Sequence, residues 1–209
     1  MSAQTTTPVV SSIAVLAPAT HVRDALAACL LVTDKSKTLP ILSAVKVSKE
    51  GSTLTLLATD RYQLVRVVID LGVSSDTDWT TLVDQNDVKR IIAALPKKNA
   101  RWSPSPAMAV LSFSEDAFGV DTGEGSTLTA KPVEGEFPKV ASIITENTEA
   151  VEHIRFNPAF LTNLCKMPRA GKNDPVQLTF DGNRKPMRSE WSVDDVKYTY
   201  LLMPVRESR

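Results

Sequence analysis

Apolar and polar positions along this chain recur at two spacings, and the spacing switches in a fixed order. Residues 9–16 are rich in Val and Ile and predict a strand. Over 18–32, Val22, Ala25, Leu26, Cys29 and Leu30 recur at helical spacing, with Thr20 placed to cap the helix. A polar loop at 34–38 leads into three predicted strands, 42–48, 53–59 and 63–70. Lys49-Glu50-Gly51 marks the first turn between them, and Asp60-Arg61 marks a tight connection.

The order then repeats. A strand at 80–84 precedes a helix at 85–95 with Val88, Ile91, Ile92 and Leu95 inward, stopped at Pro96. Strands are predicted at 107–114, 118–122 and 127–132, and a connector at 133–145. A third round has a strand at 153–156 and a helix at 157–167. Asn157 caps that helix, Pro158 takes its first position, and Leu161, Leu164 and Cys165 face inward. Strands at 176–180, 187–192 and 197–204 complete the round, while residues 1–8 are polar and expected to fray. The strand-helix-strand-strand-strand unit thus occurs three times as a pattern, with no identity between copies. That makes the class α+β and sets it apart from folds that alternate single strands with helices.

Composition narrows the class without changing it. A chain of 209 residues, 43% hydrophobic and 23% charged, suits a soluble globular protein of one large or two small domains. No apolar run reaches about 18 residues, and the N-terminus has no charged stretch ahead of an apolar block, so a cytoplasmic protein is expected. Cys29 and Cys165 lie in apolar contexts and are expected to be reduced core residues. There is no CxxC, HExxH, Walker A loop or GxSxG motif. Asp60 beside Arg61 fits a strand turn better than a catalytic pair, His153 stands alone, and Asp194-Asp195 fits a hairpin turn better than a metal site. Nothing supplies a nucleophile with an adjacent base, so no enzyme, cofactor or metal is expected.

Charge adds a sharper clue. Lys plus Arg and Asp plus Glu are both 24, for zero net charge. Yet the helical stretches 18–32, 85–98 and 157–172 hold eight basic residues, Arg23, Lys89, Arg90, Lys97, Lys98, Lys166, Arg169 and Lys172, against two acidic ones, Asp24 and Asp87. One reading is that Lys97, Lys98, Arg169 and Lys172 complement helix dipoles at C-termini. The other is a helix-lined positive surface that tracks phosphates without reading bases. On the second reading the DNA contacts fall first to Lys89, Arg90, Lys166, Arg169 and Lys172, then to Arg23, Lys97 and Lys98.

Four segments carry a resemblance. Leu39-Pro40-Ile41-Leu42-Ser43-Ala44-Val45 followed by Leu57-Ala58-Thr59-Asp60-Arg61-Tyr62-Gln63-Leu64, then Gly135-Glu136-Phe137-Pro138, Phe156-Asn157-Pro158-Ala159-Phe160-Leu161, and Tyr200-Leu201-Leu202-Met203-Pro204-Val205-Arg206 appear in that order. Together they resemble the bacterial DNA sliding clamp, the β subunit of DNA polymerase III, over roughly residues 9–206, in a shortened version. The resemblance implies a DNA-clamp fold of three strand-helix-strand-strand-strand units, with helices on the inner face of a ring and antiparallel sheets outside. Residues 9–146 resemble the full central clamp domain, and 147–209 the second half of the C-terminal domain. Clamp rings hold six domains, or twelve units, so three units per chain imply a homo-oligomer, a tetramer ahead of a trimer. The turn departs from the family in having Arg61-Tyr62-Gln63 where Gly-His-Arg is usual.

The implied function is that of a processivity factor. It encircles double-stranded DNA without sequence specificity and binds DNA polymerase and the clamp loader through short peptide motifs. The implied peptide pocket is lined by Leu42, Thr59, Arg61, Tyr62, Gln63, Leu64, Pro138, Asn157, Phe160, Met187, Leu201, Leu202, Met203, Pro204, Val205 and Arg206. Its aliphatic and thioether groups suit apolar peptide anchors. The competing reading makes residues 201–205 a plain core strand. A different function also stays open, a clamp-like protein that binds clamp clients or a host clamp without forming a ring on DNA.

Overall fold

A computed structural model describes residues 13–36, 38–73, 77–97, 106–122, 126–140, 154–171 and 173–205. The first unit consists of β1 (Ile13–Pro18), α1 (Ala19–Leu31), β2 (Ala44–Glu50), β3 (Thr53–Thr59) and β4 (Gln63–Asp70). The second has β5 (Trp79–Asp84), α2 (Gln85–Ala94), β6 (Met108–Phe113), β7 (Phe118–Asp121) and β8 (Thr127–Ala130). The third has α3 (Pro158–Lys166), β9 (Met187–Val193) and β10 (Val196–Leu202).

The first two units exchange their leading strands. β1 pairs antiparallel with β6, from Ile13 opposite Phe113 to Pro18 opposite Met108. β5 pairs with β2, from Ala44 opposite Asp84 to Lys49 opposite Trp79. The result is a four-stranded sheet, β1-β6-β7-β8, and a six-stranded sheet, β5-β2-β3-β4-β10-β9. β10 enters the larger sheet along its full length, from Val196 opposite Ile69 to Leu202 opposite Gln63. One backbone ladder therefore runs from the first unit into the third.

Alternation along the strands sorts the larger sheet into two faces. Val45, Val47, Leu54, Leu56, Ala58, Val65, Val67, Ile69, Tyr198, Tyr200 and Leu202 point into the main core with Val22, Leu26 and Cys29 of α1, Val88 and Ile91 of α2, and Leu164 of α3. All three helices thus pack on the same side of this sheet. The opposite face carries a smaller cluster of Ala44, Leu57, Leu64, Leu82 and Leu201, covered by Phe137 with Val133 and Val140 of the connector.

Several expectations are corrected. Thr20 does not cap α1: Pro18 occupies that position without a side-chain bond, and the Ala19 N–H donates to the Ala107 carbonyl at 2.8 Å instead. The residue just before β6, the partner of β1, thereby satisfies one of the unpaired N–H groups of the helix start. α2 and α3 are capped by side chains, Asp84 accepting from the Asn86 N–H at 2.8 Å and Asn157 from the Ala159 N–H at 3.0 Å. The expected strand at 176–180 is reduced to one bridge, Thr179 to Arg188, leaving Val176 and Leu178 37% and 40% exposed. Ile154 to Phe156 form no ladder, and His153 and residues 9–12 lie outside the described residues. Cys29 is buried as expected, but Cys165 is exposed. It sits one position, about 100° of helix rotation, beyond Leu164, and the inward face of α3 is one residue wide there.

Candidate binding cleft

The β3–β4 turn is built by the Asp60 carboxylate. Its Oδ1 accepts the Tyr62 and Gln63 N–H groups at 3.0 and 2.8 Å, and its Oδ2 accepts Gln63 Nε2 at 2.7 Å. Thr59 Oγ1 donates to the Gln63 carbonyl at 2.7 Å and accepts the Arg61 N–H at 3.2 Å. The tightness forces Arg61 to φ 80°, a left-handed conformation rare for any residue but glycine.

Gln63 ties this turn to the third unit. Its Oε1 accepts Asn163 Nδ2 of α3 at 3.0 Å and faces the Tyr200 hydroxyl of β10 at 2.9 Å. That hydroxyl lies equally near the Phe160 carbonyl and gives its one proton to either acceptor. Asn163 also reaches the Leu31 carbonyl at the end of α1, 3.3 Å away. Burial, with Asp60 nearby, pushes the Tyr200 phenol well above its ordinary range, so the network holds it neutral. The Met203 N–H then donates to the Tyr62 carbonyl at 2.9 Å, the Val205 N–H donates to the Arg155 carbonyl at 2.8 Å, and the rings of Tyr62 and Phe160 stack 6.0 Å apart.

These contacts frame a cavity of about 240 Å³ on the connector side of the sheet, lined by Leu42, Thr59, Arg61, Tyr62, Gln63, Leu64, Pro138, Val140, Pro186, Leu201 and Met203. Its walls are almost wholly apolar. It falls below the roughly 300–1,000 Å³ of small-molecule sites, and suits the anchoring side chains of an extended peptide. A wider depression of about 840 Å³ adjoins it under the connector, sharing Pro138 and Val140 but lined by mixed charges, among them Lys46, Arg66, Glu136 and Lys139.

Nine of the residues predicted for the pocket line the cavity: Leu42, Thr59, Arg61, Tyr62, Gln63, Leu64, Pro138, Leu201 and Met203. Met187 and Leu202 do not. Both are fully buried in the main core, because alternation in β10 sends Leu201 outward and Leu202 inward. Residues 201–203 are thus both core strand and cavity wall. Asn157 is occupied as the α3 cap, and Phe160 stands behind Tyr62. Pro204 and Val205 continue past the cavity, and Arg206 lies outside the described residues. Val140 and Pro186 were missed; the signal for Val140 was its place two residues after Pro138 in the connector, and nothing in the sequence marks Pro186.

The basic candidates divide. Lys89, Arg90, Lys97 and Lys166 are exposed on or just beyond α2 and α3, with Arg90 also 2.7 Å from Asp87. Arg23 is largely covered and pairs with Asp24 at 3.0 Å. Arg169 lies 4.6 Å over the Trp191 ring and donates to the Leu164 carbonyl at 3.3 Å, so it closes the end of α3. Lys98 and Lys172 lie outside the described residues. Among the described residues no three His, Cys, Asp or Glu side chains gather to hold a metal, and no helix is long and apolar enough to cross a membrane.

No family model matches the chain. It is 34% identical over 124 residues to the beta sliding clamp of Micrococcus luteus, covering 59% of this chain and 38% of that protein. It is 28% identical over 156 residues to that of Streptomyces coelicolor, covering 72% and 39%. The chain therefore spans about two fifths of the length of these relatives. The DNA polymerase sliding clamp from Bacillus subtilis superposes with a TM-score of 0.77 at 14% identity, over 94% of this chain and 65% of that one. A putative DNA polymerase III β subunit from Eubacterium rectale gives the same TM-score at 11% identity, over 93% and 66%. The chain carries the fold of the bacterial DNA polymerase III β subunits, the sliding clamps, and is similar in sequence to two beta sliding clamps.

Proposed function

We propose that this chain is a DNA sliding clamp, a non-enzymatic processivity factor. It surrounds duplex DNA without reading its sequence, and it tethers a DNA polymerase and a clamp loader in the cytoplasm. The observation that carries the reading is the apolar cavity. Parts of the segments resembling the clamp, Leu42, Thr59 with residues 61–64, Pro138, and Leu201 with Met203, lie far apart in sequence and meet around it. The helices, with the exposed Lys89, Arg90, Lys97 and Lys166, occupy the opposite side of the sheet, where phosphate contacts need no base recognition. Lys98 and Lys172 are assigned to the same role from their sequence positions alone. Arg23 and Arg169 contribute less, because Asp24 and Trp191 already engage them.

Residues 9–146 serve as a full clamp domain and 147–209 as half of one. Encircling DNA then requires several chains. α1 and α2 pack on each other and bury six and three residues in all, whereas α3 buries only Leu164. Among the described residues the third unit also receives no exchanged strand beside 176–180. A second copy of that unit supplies both, and a ring of twelve units closes with four chains. Light scattering after size exclusion tests this. Four chains of 22.8 kDa give about 91 kDa and three about 68 kDa. A tetramer is expected, and a chain that stays monomeric at micromolar concentration cannot form the ring.

A further inference from the structure

Arg61 is the one charged residue on an otherwise neutral cavity wall, among the described residues. Nothing in the turn uses its side chain. The hydrogen bonds that shape the turn come from Asp60, Thr59 and the backbone, and they force position 61 into the left-handed region at φ 80°. Glycine would hold that conformation without strain, so an arginine there carries a local backbone cost.

Its guanidinium is also uncommitted. The residue is exposed, and among the described residues no hydrogen bond or ion pair engages its side-chain nitrogens. The nearby Asp60 carboxylate is filled by three N–H donors. Asp34 feels the Arg61 charge only weakly, after its bonds from Ser36. The cation therefore stands at the edge of an apolar cavity with all its donors free, and a guanidinium pairs best with a carboxylate, through parallel N–H bonds.

We propose that Arg61 makes the cleft selective for peptides in which a carboxylate lies next to the apolar anchors, supplied by an Asp or Glu side chain or by the chain terminus. This rests on the reading of the cavity as a peptide site. The apolar anchors fill the space between Leu42, Leu64, Leu201 and Met203, and the carboxylate sits outside it on the guanidinium. The neutral Gln63 amide cannot take this role, because it is bound to Asp60, Asn163 and Tyr200.

The test is fluorescence anisotropy with labelled, capped peptides such as acetyl-Ser-Leu-Asp-Leu-Leu-Gly-amide. The Asp is moved to each position around the leucines, with Asn counterparts and Asn peptides bearing a free C-terminus. The chain should bind its best carboxylate peptide about tenfold tighter than the neutral one, with the preference shrinking as salt rises. Whichever carboxylate source shows the preference identifies the ligand end that Arg61 reads. Arg61→Gln and Arg61→Gly should both erase the preference; Arg61→Gln should melt with the parent, and Arg61→Gly no lower, because glycine holds the left-handed backbone without strain. Equal binding of all carboxylate and neutral peptides by the parent, or a preference that survives both variants, overturns the assignment. Failure of every peptide to bind overturns the peptide-site reading itself.

Discussion

At the scale of single residues, Gln63 is the position on which the cleft depends. It is 3% exposed and joins the β3–β4 turn, α3 and β10 through one amide. Its neighbourhood was legible as a turn from Asp60-Arg61, and as a cleft from resemblance. The network was not legible, because Tyr200 and Asn163 lie 137 and 100 residues away. Cys165 shows the converse error: one step of helical rotation decides between core and solvent, and an apolar neighbourhood does not report it. The network also makes a pH prediction. Burial holds the Tyr198 and Tyr200 hydroxyls protonated well above their usual range. A phenol whose folded pKa is raised contributes stability below its unfolded value, near about 10, and loses that contribution as the pH climbs further. Tyr200→Phe should cost about 1 kcal/mol at neutral pH through the lost hydrogen bond. Its denaturant midpoint should then fall less steeply than the parent's between about pH 9 and 11. Parallel curves for the two proteins would show that Tyr200 ionisation is not coupled to folding.

At the scale of elements, strands were readable wherever a ladder exists on both sides. Residues 53–59 and 63–70 were read with the bounds the structure gives β3 and β4, since their alternation matches a sheet with two buried faces. The stretch 176–180, Val-Gln-Leu-Thr-Phe, alternates as well, yet it makes a single bridge. Alternation specifies the ability to pair; a neighbour must be present to realise it. Sequence also gave no sign that β1 and β5 change places, because exchange depends on which unit lies beside which. The β4–β10 ladder is the element-scale joint of the molecule, and Thr199, opposite Arg66 on one side and Glu190 on the other, is at its centre. Thr199→Pro should cost about 3 kcal/mol or more, by removing a ladder hydrogen bond between two partner strands. Amide exchange across 187–202 should accelerate in step with that loss, while Thr199→Val stays within about 0.5 kcal/mol of the parent. A proline variant as stable as the parent would mean that β10 is docked by side chains alone.

At the scale of the whole molecule, one sheet separates two kinds of surface. One side carries three helices and exposed lysines, and the other carries the connector and the apolar cavity. The proposed function, with DNA on one side and a client peptide on the other, needs that separation. The charge excess in the helical stretches was visible in the sequence; their common side of the sheet required the fold. The measurement that tests the account most directly asks whether the protein encircles DNA, and it needs no loader. Linear duplex is fixed to a bead at one end, the protein is threaded over the other, and that end is then blocked with a bulky group. Bound protein should survive a high-salt wash on blocked DNA and leave at once when a restriction enzyme cuts the duplex. Loss at the same rate from blocked, open and cut DNA would contradict encirclement.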